Sequence, residues 1–466
     1  MATIVPAAAG VRSDTDHSFL GHPHGLAYLA FTEAWERFSY YGMQALLVLY
    51  MVRRLLLPGH VENIAGFVWF RHALESLYGR PLSVVALGSA IFGLYSGTVY
   101  LTPILGGIVA DRWLGRTRTI TIGALVMAAG HFMMAFDVSF LIAFACLVIG
   151  VGCVKGNLAS QVGALYGSAD LRRADAFQIF LLAVNVGVIV APLVVGTLGE
   201  VYGWHYGFGA AGVGMLIGLF IYLSGRKWLP PEPARIREVA ASRPPLRREE
   251  RTTVIVLIVL VPVLAVGAVG NQEIFNAYLL WAPANIDLVF FGHTMPTTWL
   301  LAADSALSVA ALVGVMAFWR VWARRRTELS EVSKITLGLF ISALGALMLV
   351  MASQIAASGH KASVWWALAF HIINSIGYAH VFPVGLALYA RASPRATVGT
   401  IIGVYYLHLF MANNLVGWLG GLSERMSGAQ FWMLHAALIT GAAVVFLLVR
   451  KLFERQLAPG DPQPTH

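Results

Sequence analysis

The chain has 466 residues, 58% of them hydrophobic and 12% charged. A soluble domain carries about 25% charge, so the composition excludes one and requires an integral membrane protein. The net charge of +9 falls in short loops between apolar segments. That pattern sets membrane orientation and excludes nucleic acid as a partner.

Residues 1–24 contain no signal-peptide core, and Gly21-His22-Pro23-His24 reads as solvated chain rather than a metal site. The first apolar stretch, 26–51, carries Glu33, Glu36 and Arg37. Charge at bilayer depth costs roughly 2.5–3.5 kcal/mol per residue on insertion scales. On a helix Glu33, Glu36, Arg37, Tyr40 and Tyr41 share one face, a polar stripe that must meet protein or water. The bland alternative is a structural Glu33–Arg37 pair, with Lys155 a snorkelling lysine.

Five more helical spans are predicted near 86–109, 117–137, 139–163, 177–199 and 206–228, and six near 253–282, 297–322, 333–356, 363–390, 397–421 and 429–450. The 52–85 loop contains a short surface helix near Trp69–Leu77. Cys146 and Cys153 lie seven apart on one predicted helix, too far along its axis to pair. The histidines within spans, His131, His371, His380, His408 and His435, read individually as core residues, with His380 the best candidate for a proton relay.

Loops after even-numbered spans hold Arg112, Arg116, Arg118, Arg172, Arg173, Arg320, Arg324 to Arg326, Arg391 and Arg395. The other side is poor in Lys and Arg beyond Lys361, Arg425 and the long first loop. The bias predicts both termini in the cytoplasm of a bacterial cell, the chain crossing its inner membrane many times. The expected organisation is an N-terminal segment 1–25, a six-helix bundle 26–228, a linker 229–252, a second bundle 253–450 and a tail 451–466. Such an all-α membrane protein of about 12 transmembrane helices has the plan of a two-bundle transporter.

Gly106-Gly107-x-x-x-Asp111-Arg112-x-x-Gly115-Arg116 resembles the signature loop of the major facilitator superfamily. The resemblance implies a conformational latch at Asp111 and Arg112. Glu33-x-x-Glu36-Arg37-Phe38-x-Tyr40-Tyr41-Gly42 matches the ExxERFxYYG motif of the proton-dependent oligopeptide transporter family. Tyr95 to Gly115, Gly150-x-Gly152-x-x-Lys155-x-Asn157, and Asp170 through Asn185-x-Gly187 to Pro192 resemble its second, fourth and fifth helices. The resemblance covers the N-terminal half and implies the major facilitator fold, without the extra helix pair many bacterial members carry between their halves.

It also implies roles. Arg37, Tyr41 and Lys155 hold a peptide's carboxylate, Tyr40 and Tyr100 line the pocket, and Asn185 bonds the peptide backbone. Glu33, Glu36, Arg37 and Lys155 couple the proton. The C-terminal half departs from the pattern. Tyr378 stands in place of an acid on helix 10, Asn271-Gln272 in place of Glu-Gln on helix 7 with Glu273 next, and Asp304 in place of asparagine on helix 8. Gly93 stands where animal members have histidine. Asp304 is the expected anchor for a peptide ammonium, with Glu273 second and Gln272 and Tyr378 lining the site. A charge near the membrane surface is the alternative for Asp304.

The expectation is a symporter importing di- and tripeptides with protons, a functional monomer with the proton as coupling ion, no other cofactor and no metal. Its other partners are small peptides and the lipid bilayer. Another carboxylated or peptide-like solute is the alternative cargo. No metal-type spacing occurs in any span, which argues against an intramembrane enzyme. The ion cluster argues against a sensor without transport.

Overall fold

The computed structural model describes residues 16–167, 170–232, 247–290, 292–394 and 397–457. The linker expected over 229–252 lies partly outside these residues, as do both terminal segments; Arg395 lies wholly outside.

The N-terminal half begins with α1 (His24–Tyr50) and the surface helix α2 (Phe67–Tyr78). On α2, Val68, Trp69 and Leu77 are exposed. The second span is split into α3 (Val84–Thr98) and α4 (Thr102–Val109), with Pro103 opening α4, where a missing N–H costs nothing. Then follow α5 (Arg116–Met133), α6 (Phe140–Ala164), α7 (Arg172–Ala191) and α8 (Trp204–Ser224). Pro192 cannot continue the hydrogen-bond ladder of α7, and the chain runs on in wider turns over Pro192–Gly196 and Leu198–Tyr202.

In the C-terminal half, the seventh span comes in pieces: α9 (Arg248–Gly267), α10 (Val269–Gln272), a tight turn over Glu273–Phe275, and α11 (Ala277–Asn285). Then come α12 (Trp299–Ala323), α13 (Glu331–Ala357), α14 (Val364–Ala392), α15 (Val398–Gly420) and α16 (Gly428–Leu457). Short strands finish one end: β1 (Ile286–Asp287) pairs in parallel with β4 (Ala362–Ser363), and β2 (Val289–Phe290) pairs antiparallel with β3 (His293–Thr294).

All the predicted spans are helical. Nine helices among the described residues are long and apolar enough to cross a membrane. α1, α5 and α15 fall outside that set. The first carries Glu33, Glu36 and Arg37, the second starts on Arg116 and Arg118, and the third includes His408, Asn413 and Asn414.

Within the first half α1 packs on α7 and α8, α5 on α6 and α8, and α4 on α6. Within the second α13 packs on α14 and α16, α12 on α14, and α9 on α15 and α16. The halves meet along two seams, α3 with α15 and α7 with α12. Glycines let the backbones approach: a Cβ built on Gly93 of α3 would fall 2.5 Å from the Asn413 carbonyl oxygen and 2.8 Å from Gly417 Cα on α15. Such small-residue contacts are the usual way helices associate where lipid replaces water. α15 meets chiefly α3, not α4, so the contact lies in the half of the span away from the termini, called the far side below. Cys146 and Cys153 are free thiols.

Candidate functional site

The stripe on α1 is assembled as its spacing requires. Arg37 Nε donates to Glu33 Oε1 at 2.9 Å, one helical turn back. Glu36 Oε2 approaches the same nitrogen at 2.6 Å. Nε has one hydrogen and gives it to Glu33, so Glu36 gains attraction without a hydrogen bond. All three side chains are buried. Glu33 Oε2, both Glu36 oxygens and Arg37 Nη2 are left with no hydrogen-bond partner. Gly187 lets α7 lie against Ala34 and Arg37, where any side chain would collide.

Lys155 comes to this cluster from α6. Its Nζ sits 4.8 Å above the Tyr100 ring, within electrostatic reach of Glu33, Glu36 and Arg37. The four charges sum to zero when all are ionised, the condition for holding charge away from water. Tyr41, Tyr100, Lys155, Asn185, Gln272 and Tyr378 are only half-buried. Tyr378 of α14 lies within electrostatic reach of Tyr41, Tyr100 and Tyr406, so both halves contribute hydroxyls to one region. Asn185 donates back to the Leu181 carbonyl at 2.8 Å, and Gln272 accepts from Asn413 at 3.1 Å. Tyr40 is 3% exposed and stacks on Tyr95, a packing position rather than an open one.

The two expected ammonium anchors differ. Asp304 Oδ1 lies 2.8 Å from His371 Nδ1, and Tyr278 Oη lies 2.9 Å from the other ring nitrogen. Asp304 retains 7% exposure. Glu273 retains none: its Oε1 accepts from Asn276 and the Ala277 amide, and its Oε2 faces His435. With both oxygens engaged and no exposed surface, Glu273 offers nothing to a solute in this form. The expectation that it lines the binding site is corrected on that geometry.

Asp111 and Arg112 are exposed. Asp111 meets Arg116 at the start of α5 at 3.8 Å and, among the described residues, caps no neighbouring helix. Glu232 caps α5 instead, accepting the Arg116 amide at 2.9 Å and the Thr117 amide at 2.7 Å. Burial pushes the Glu232 carboxyl up, but the Thr117 and Arg116 hydrogen bonds and the Arg116 charge outweigh it and hold it below the ordinary 4.5. His380 Nδ1 donates to the Ile376 carbonyl of its own helix and packs on Trp319, while His371 and His435, read as core from sequence, pair with acids. Phe275, whose ring lies 6.1 Å from that of Tyr41 across the halves, carries no sequence signal for that contact.

A family model described as the POT family matches residues 117–242 and 246–433. A peptide transporter of Yersinia enterocolitica is 26% identical over 93% of this chain and 95% of its own length. A di-/tripeptide transporter of Lactococcus lactis is 30% identical over 92% of this chain and 83% of its own length. Among solved structures, a POT peptide transporter in complex with sulfate superposes with a TM-score of 0.80 at 25% identity, covering 95% of this chain and 97% of the other. A crystal structure of a mutant form of a POT peptide transporter, in complex with alafosfalin, gives 0.79 at 25% identity over 94% of this chain and 96% of the other.

Proposed function

From the premise that this chain belongs to the POT family, we propose that it imports di- and tripeptides together with protons, by alternating access between its two halves. It is a multi-pass membrane protein of the major facilitator type. The bacterial inner membrane with both termini in the cytoplasm, bundle limits near 26–228 and 253–450, and a functional monomer are parts of the same reading. In that frame the far side is the outside of the cell, and Asp111 and Arg112 engage only when the cytoplasmic side closes.

The observation that carries the proposal is the buried, unpartnered Arg37 Nη2 beside Lys155 on a helix that also holds two buried glutamates. A guanidinium fork grips a carboxylate through two parallel hydrogen bonds, and Lys155 adds a point charge. A peptide carboxylate arriving there turns a neutral cluster into one of net −1. Protonation of Glu33 or Glu36 restores neutrality, and the two carboxylates share that proton as one titrating unit. Cargo therefore draws a proton in with it, and the membrane potential contributes roughly 2.3 kcal/mol per net charge per 100 mV. Tyr41, Tyr100, Asn185, Gln272 and Tyr378 surround the peptide, and Asp304 takes its ammonium end.

Uptake of a labelled dipeptide into liposomes, with and without an inward proton gradient, tests this. Native protein is expected to accumulate the peptide only with the gradient. Glu33→Gln/Glu36→Gln retains no gradient dependence, and Arg37→Lys, which keeps the charge and loses the fork, weakens uptake. Equal transport by native and doubly substituted protein without a gradient would end the proposal. Tyr378, in the place of an acid, favours a second cargo class, another carboxylated or peptide-like solute. Competition by dipeptides against simple carboxylates separates the two.

A further inference from the structure

The broken seventh span holds an acid that the peptide site does not use. Glu273 sits in the turn between α10 and α11, where Asn276 takes the non-helical angles φ −121° and ψ −110°. Glu273 and His435 of α16 are both 0% exposed. His435 Nδ1 lies 2.9 Å from the Phe431 carbonyl oxygen. A carbonyl only accepts, so Nδ1 carries the hydrogen. The other nitrogen, Nε2, lies 3.2 Å from Glu273 Oε2. A neutral ring facing an ionised carboxylate would set two lone pairs against each other. A hydrogen therefore lies between them, either on Nε2 as imidazolium or on Oε2 as carboxylic acid. The two placements have the same sum: one proton, no net charge.

We propose that the Glu273–His435 pair is a second proton-binding site of the transport cycle, loaded in this far-side-closed form and emptied when the break in the seventh span rearranges. The proposal rests on the reading of the chain as a proton-coupled transporter. The acid lies two positions beyond Asn271, where the family resemblance leads one to look for it, and it turns toward α16 instead.

The break also touches the closing elements: Asn276 ties it to α15 of its own half, and Phe275 meets α1 of the other. Asn276 Nδ2 donates to Glu273 Oε1 at 3.0 Å and lies 3.3 Å from the Val416 carbonyl on α15, the helix that closes on α3. Phe275, between them in sequence, meets Tyr41 of α1. Removing the proton leaves a buried carboxylate with no cation, a state that a sealed site disfavours strongly. The loaded pair thus favours far-side closure, and release of its proton favours opening.

Among the described residues, no other charged group forms an ion pair with either partner. The titratable neighbours are Tyr278 of α11, whose ring lies 6.2 Å from Trp432, then His371 of α14 and Asp304 of α12 behind it, and Tyr41 of α1 beyond Phe275. From α15 and α14 the break receives the amides Asn413 and Asn374, and from α13 the apolar Leu339; its junction with α9 is apolar.

The test compares native protein in liposomes with Glu273→Gln/His435→Gln and with each single variant. Two assays are run, accumulation of a labelled dipeptide under a proton gradient and gradient-free counterflow, and protons per peptide are counted from the reversal potential. The ratio of driven accumulation to counterflow is expected to fall at least about five-fold in the double variant. One fewer proton moves per peptide. A merely structural pair lowers both assays together, so an unchanged ratio and an unchanged proton count overturn the proposal. Should the double variant fail to fold, Glu273→Gln carries the test alone, because its amide donates to Nε2 in place of the missing proton. Native protein that moves no dipeptide in either assay overturns the transport reading and this proposal with it. A coupled native protein whose variants keep the native ratio overturns the second site only.

Discussion

Glu200 reaches across the far seam to Thr298. Its Oε1 accepts the Thr298 amide at 2.8 Å and its Oε2 the Thr297 amide at 3.1 Å, so a carboxylate from the extension of α7 caps α12 in the other half. Trp299 Nε1 donates to Thr197 Oγ1 at 2.8 Å beside it, and Arg53 lies 3.9 Å from the same carboxylate. The bonds to Thr297, Thr298 and Trp299 join the two halves, so opening the far side breaks them, whereas Arg53 belongs to the same half as Glu200. A carboxylate cap at a helix N-terminus contributes about 1 kcal/mol, so Glu200→Gln is expected to raise the far-side-open population roughly five-fold. Spin-label distances across the α7–α12 seam measure this. An unaltered distance distribution would show that closure does not depend on the cap.

Gly93 closes the other seam by having no side chain. A methyl there would strike the backbone of α15 at Asn413 and Gly417, atoms that no rotamer change can move aside. Overpacking of this kind costs about 1–3 kcal/mol. Because the clash belongs to the closed far side, Gly93→Ala is expected to hold the protein open there and cut driven uptake about ten-fold or more, at native abundance in the membrane. Gly107→Ala is the control, since a Cβ on Gly107 meets nothing within 4 Å. Equal loss in both would point to general helix damage rather than to the seam.

The sequence reveals what is local. Glu33, Glu36, Arg37 and Tyr41 fall on one face by helix period alone; the Glu33–Arg37 pair spans one turn and the Glu36–Arg37 pair joins neighbours. The split of the seventh span is not legible, because α9 through α11 reads as one apolar run. The acid–histidine pairs escape for another reason: His371 and Asp304 are 67 residues apart, and His435 and Glu273 are 162 apart. Each histidine looks like a core residue until the helices are arranged. Similarly, Asp111 carries the motif, yet Glu232, 116 residues from Arg116, caps α5.

That cap gives a pH dependence with a definite sign. The folded-state pKa of Glu232 lies below its ordinary 4.5, so its contribution is complete above about 4.5 and is lost as pH falls through the lower folded value. The side chain is exposed, and solvent screening limits the effect to about 0.5 kcal/mol. Glu232→Gln is therefore expected to melt slightly below native protein at pH 7 and to match it near pH 3. Thermal unfolding in detergent at the two values checks this. A difference that persists or grows in acid would place the effect elsewhere.

Asp304 poses the sharpest question about substrate recognition. It retains some exposure while His371 holds its Oδ1, an arrangement that fixes the carboxylate and leaves its charge available to a cation. A hydrogen bond to a charged group contributes about 1.5–3 kcal/mol, so losing the charge is expected to weaken binding roughly ten- to hundred-fold. Asp304→Asn keeps the shape and an acceptor oxygen. Its KM for a free dipeptide should rise by that factor, whereas its KM for the N-acetylated dipeptide, which has no ammonium to anchor, should stay near native. A parallel rise for both substrates would mean that Asp304 serves to position His371 and Tyr278, and the ammonium end must then find its anion elsewhere.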